Sequence, residues 1–147
     1  MRQRHDPLYI AFLHYFNQER DYFECHEVME ELWLSEGRSP LWQGLLQIAV
    51  GLHHHANNNV NGAVKLLSAA IDKLKTRTGA PIGIDLEELL RHAETRLRQL
   101  MEEGERAPFG PIDITITDPE LAEAVRRFAA ARPPDGEGAT GTPPETF

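Results

Sequence analysis

Apolar side chains recur along most of this chain at helical spacing, and polar caps and glycine or asparagine turns punctuate them. Asp6-Pro7 reads as an N-cap followed by proline at the first helical position, opening a helix that runs to about Glu19. Its stripe is Leu8, Phe12, Tyr15 and Phe16, widened by Ile10 and Leu13. Asp21 and Glu24 have capping-box spacing, so a second helix is predicted from Tyr22 to about Ser35, with Gly37 as its stop. Ser39-Pro40 opens a third, ending near Asn57. The run 57–62 is turn chemistry, since asparagine tolerates left-handed backbone, and a fourth helix follows over 62–77 with Val64, Leu67, Ile71 and Leu74 on one face. After a loop at Gly79, Pro81 and Gly83, Asp85 and Glu88 repeat the capping-box spacing and open a fifth helix to about Glu103.

Beyond Gly104 the pattern changes. Ile112, Ile114 and Ile116 alternate with polar residues as a strand would, but no partner strand is in sight. An extended segment lying on the bundle is therefore expected, then a short helix from Asp118-Pro119 to about Ala131. The final stretch is mostly Pro, Gly, Thr and Glu and reads as a disordered tail. The predicted fold class is all-α: a compact antiparallel bundle of about five helices over 1–104, an extended segment plus short helix over 105–132, and the tail over 133–147. Trp42 and Leu45 mimic the opening of a tetratricopeptide repeat, but Leu46 and Ala49 stand where its glycine and tyrosine belong.

On a helical wheel Glu24, Glu27 and Glu31 share one side of the second helix, a solvated face. Tyr22, Phe23, Cys25, Met29, Leu32 and Trp33 take the broad opposite side, and His26 and Glu30 fall inside this apolar arc. At a spacing of i, i+4 their side chains meet, and a carboxylate among apolar neighbours is costly unless paired. On the third helix Leu41, Leu45, Ile48 and Leu52 form the apolar stripe, while Gln43, Gln47, Gly51 and His54 fall together with Gly44 nearby. That polar stripe has little bulk and is expected to face His26 and Glu30.

Length and charge narrow the classes. The chain has 147 residues, 41% of them hydrophobic and 26% charged, enough for one domain and a tail. A net charge of −8, spread along the chain, argues against nucleic acid as a partner. The longest apolar-leaning stretch, 41–52, is too short and too polar to cross a membrane. A single cysteine, Cys25, excludes an internal disulfide and a four-cysteine zinc site, so a cytoplasmic location is expected. The alternating isoleucines suggest a homodimer, because an exposed edge invites pairing.

The stretch from Phe23 to Trp33 resembles the hallmark of domain-of-unknown-function family 309, His-x-x-x-Glu-x-x-Trp, matched by His26, Glu30 and Trp33. Gln43-Gly44-Leu45-Leu46-Gln47-Ile48-Ala49 resembles its second block, and His54, Asn59, Gly62, Ala63 and Gly83-Ile84-Asp85 continue the likeness. The resemblance covers roughly Asp6 to Leu100 and departs at His53 and His55, so His54 is assigned to the family position. It implies an all-helical fold and no activity.

Three readings of His26, Glu30, Trp33, Gln43, Gln47 and His54 follow. The first is a non-catalytic binding module whose polar interhelical pocket takes a small molecule or a protein, with Tyr22 also on its wall. The second is a metal-assisted hydrolase in which His26, Glu30 and His54 hold a divalent ion and water is the nucleophile. It is not a zincin, because Glu30 replaces the second histidine and Glu27 lies on the solvated side. The third is a buried hydrogen-bonded network that fixes helix register. His53, His54 and His55 must point three ways on a helix, so at most one or two can serve one site. Cys25 cannot face its sequence neighbour His26, which leaves it a packed thiol.

Overall fold

In the computed structural model, which describes residues 5–132, the helices start where the sequence supplies caps. They are α1 (Pro7–His14), α2 (Tyr22–Ser35), α3 (Pro40–Ala56), α4 (Val60–Leu74), α5 (Leu86–Glu103) and α6 (Pro119–Ala131). Asp6, Asp21, Ser39, Asn59, Asp85 and Asp118 each accept a backbone N–H of the first turn through the side chain, satisfying a donor that the helix itself leaves orphaned. The second capping box forms only by half. Glu88 turns its carboxylate to the Thr115 hydroxyl, 2.5 Å away. The disordered tail expected over 133–147 lies outside the described residues.

Two helix ends differ from expectation. α1 passes at Tyr15 into a π-helical turn, Tyr15–Glu19, and Arg20 closes it in the left-handed region with φ 54°. The Arg20 and Asp21 N–H groups both reach back to the Tyr15 carbonyl, Asp21 at 3.0 Å, so the left-handed closing position is held by arginine where glycine is usual. Arg20 is held there by the Ile112 carbonyl at 2.9 Å and by Asp113. α4 begins at Val60 rather than Gly62, because the Asn59 side chain caps Gly62 N–H at 3.0 Å and only Asn58 (φ 62°) is left-handed.

α3 is the centre. Every residue over 44–52 is buried, and the helix packs on α2 and on α4. A Cβ on Gly44 would sit 2.7 Å from Leu74, and one on Gly51 2.9 Å from Leu67. Gly62 on α4 likewise lies against His54 on α3. Positions rising along α3 thus meet positions falling along α4, an antiparallel pair whose closeness depends on the glycines. α5 packs on α4, and α6 on α1.

The isoleucine segment lies along the bundle as a strap. Ile112 and Ile114 are buried in the same core cluster as Phe12, Leu45 and Leu89, joined there by Leu121 and Val125 of α6. Ile116 makes an isolated antiparallel bridge with Ile84. Asn17 grips Ile114 twice, donating to its carbonyl and accepting from its N–H, both at 2.8 Å. These isoleucines are used within the chain, so they no longer present the edge on which the expected homodimer rested. Among the described residues no helix is long and apolar enough to cross a membrane.

Candidate functional site

His26 sits on the α2 side that packs toward α3 and is buried, with 6% of its surface exposed. Its two ring nitrogens approach two carboxylates: Nε2 lies 3.6 Å from Glu30 and Nδ1 lies 3.4 Å from Glu27. The expected i, i+4 pair is therefore present, but Glu30 is not enclosed. Its side chain is 36% exposed and that of Glu27 52%. The pattern placed Glu27 wholly on the solvated face; it stays in solvent yet reaches the imidazole beside it. Burial pushes the His26 pKa down, while Glu30 and then Glu27 oppose the shift.

On α3, Gln47 and His54 are buried and Gln43 is half-buried. The glycines of the expected polar stripe do not open space for His26 and Glu30. Gly44 and Gly51 receive Leu74 and Leu67 of α4 instead. The wheel grouped them correctly with His54 but assigned them the wrong neighbour, because periodicity does not say which of two flanking helices a stripe meets.

The three consecutive histidines diverge as a helix requires. The His53 ring lies 6.2 Å from Phe23, whose other ring neighbour is His26 at 5.6 Å, so this aromatic chain joins α2 to α3. His54 is fully buried, with Nδ1 3.3 Å from the Asn59 amide that caps α4. His55 points to the strap, where Nε2 meets the Ala107 carbonyl at 2.9 Å. Among the described residues no three His, Cys, Asp or Glu side chains form a group that could hold a metal ion. His26 and Glu30 pair, but His54, the expected third ligand, does not complete a set with them. Trp33 is half-buried under the Arg38 guanidinium, 5.3 Å from the ring centroid. Tyr22 is buried between Phe16 and Phe109. Cys25 is a buried thiol 3.7 Å from the Phe12 carbonyl, and burial holds its pKa well up, so it is not a poised nucleophile.

A family model described as a domain of unknown function (DUF309) matches residues 9–66. The uncharacterized protein YpuF of Bacillus subtilis (strain 168) is 35% identical over 123 residues, an overlap covering 80% of this chain and 69% of YpuF. The chain belongs to the DUF309 family. No solved structure matches it. The DUF309 match spans α1 through the first half of α4 and so contains His26, Glu30, Trp33, Gln43, Gln47 and His54.

His53 and Glu27 are the residues that the motif alone does not single out. Burial also pushes the His53 pKa down, helped by His54 and His26 and opposed by Asp21. Both His26 and His53 thus take up protons less readily in the folded DUF309 chain than at the ordinary 6.5 of the unfolded one. The unfolded state binds more protons as pH falls below that value, so their contribution to stability is full above it and is lost on acidification. Urea midpoints should fall between pH 7.5 and 5.5, and a His26→Asn/His53→Asn chain should fall less. Equal losses in the two chains would contradict the assignment.

Proposed function

We propose that this DUF309 chain is a non-catalytic binding module whose site is the α2–α3 face around His26, Glu30, Trp33, Gln43, Gln47 and His54. One observation carries the reading. The buried His26 is bracketed by two carboxylates, Glu27 and Glu30, that remain open to solvent. A network serving only helix register could do without these charges, since apolar packing in place of an ion pair is often neutral or stabilising. Open carboxylates over a buried, largely neutral imidazole instead suit a ligand that brings a cationic donor, an amine or a guanidinium. Gln43, half-buried on α3, would add an amide with both donor and acceptor. A cytoplasmic setting, consistent with the lone cysteine, belongs to the same proposal.

The test is an amide NMR titration of the full chain with a tri-arginine peptide at about 0.15 M salt, where diffuse attraction to the net negative surface is screened. Saturable shifts confined to α2 and α3 are expected, and they should vanish in a Glu27→Gln/Glu30→Gln chain but persist in Glu87→Gln. Shifts scattered over the surface, or unchanged by the double substitution, would sink the proposal.

A further inference from the structure

A second polar site lies where α5 meets His55 of α3 and the strap, and its centre is a charge in an apolar position. On α5 the buried positions are Leu86, Leu89, Ala93, Arg96 and Leu100, so an arginine interrupts a core stripe. Arg96 is only 8% exposed. Among the described residues no carboxylate pairs with it, and burial lowers its pKa with only Tyr22 opposing. Its contacts are neutral. Nη2 donates to the Gly110 carbonyl at 2.5 Å, and the guanidinium lies 5.5 Å from the Phe109 ring centroid. Nη1 lies 3.4 Å from His55 Nδ1. Because His55 Nε2 carries its proton toward the Ala107 carbonyl, Nδ1 is free to accept.

A buried cation without an anion is a costly arrangement that a bound anion would relieve. Arg96 also lines a groove of about 440 Å³ between α5 and the strap. His92 and Gln99, one turn either side of Arg96, and the adjacent Thr95 share its wall. Of the acidic residues of the groove, Asp113 is paired with Arg20 outside it, and Glu88 accepts the Thr115 hydroxyl on the groove wall rather than pairing with Arg96. We propose that this groove binds a small oxyanion, a carboxylate or a phosphate, on the Arg96 guanidinium, with Thr95 and Gln99 supplying further hydrogen bonds. The planar fork of arginine suits either group. The site uses none of the residues named for the α2–α3 face, so its test is independent of that reading.

Isothermal titration of the full chain with inorganic phosphate and, in a second arm, with acetate tests this against a chloride control at matched ionic strength. Saturable binding with unit stoichiometry is expected in at least one arm, and the arm that binds names the ligand class. Arg96→Lys should abolish it. Because Arg96 also clamps the strap, Thr95→Val/Gln99→Leu is the decisive variant. It should weaken binding by at least about ten-fold, the cost of losing even one hydrogen bond to a charged group, with an unchanged melting temperature in the absence of ligand. Absence of saturable binding in both arms, or wild-type affinity in Thr95→Val/Gln99→Leu, overturns the proposal.

Discussion

Gly44→Val is expected to destabilise the fold by about 3 kcal/mol, the upper range for forcing bulk into a packed core. A Cβ at this position already falls 2.7 Å from both Cγ and Cδ2 of Leu74, and Leu74 is fully buried, so any shift of its side chain disturbs the core around it. The better helix propensity of valine over glycine returns only a few tenths of a kcal/mol, roughly, so the clash wins. Leu74→Ala in the same chain makes the missing space. The double variant should therefore be more stable than the two single costs predict, by more than about 1 kcal/mol. Urea unfolding of the four chains measures this directly. Strictly additive costs would mean that α3 and α4 do not meet through this glycine.

Asn17→Ala is expected to cost about 2–4 kcal/mol, because it strands two backbone groups at once. The Asn17 amide bonds both the N–H and the carbonyl of Ile114, a residue only 3% exposed. The strap's neighbouring bonds, from Asp85 N–H to Thr115 and from Thr117 N–H to Gly83, would not replace them. Hydrogen exchange should show the Ile114 amide losing protection, while amides in the centre of α3 keep theirs. Full protection at Ile114 in the variant would contradict the role given to Asn17.

The helices were legible because their signals are local. Aspartate, serine and asparagine caps and the three- and four-residue apolar period are properties of a short stretch of chain; each predicted helix formed, and all but α4 did so on the predicted cap. The His26–Glu30 pair was legible for the same reason. What depends on tertiary partners was not. The wheel grouped Gly44 and Gly51 with His54, but only packing could show that α4's leucines occupy that stripe. Arg20 holds a left-handed conformation because of a strap more than ninety residues away in sequence, which no local pattern reveals. The alternating isoleucines suggested an edge, and the edge is spent on Ile84 and the core. Arg96 did carry a signal, a charge at a core position of α5, which the apolar period of that helix could have exposed.

The binding reading is tested most directly at His26 itself. In the free chain Glu30 and Glu27 hold the imidazole pKa up against the stronger effect of burial. A cationic group seated on those carboxylates would cancel their help and bring a like charge close, so the pKa must fall further. NMR titration of the His26 ring, with and without saturating tri-arginine peptide, reads this at one atom. A lower midpoint in the peptide complex is the predicted result. A midpoint unchanged or raised under saturation would contradict the placement of the ligand at His26.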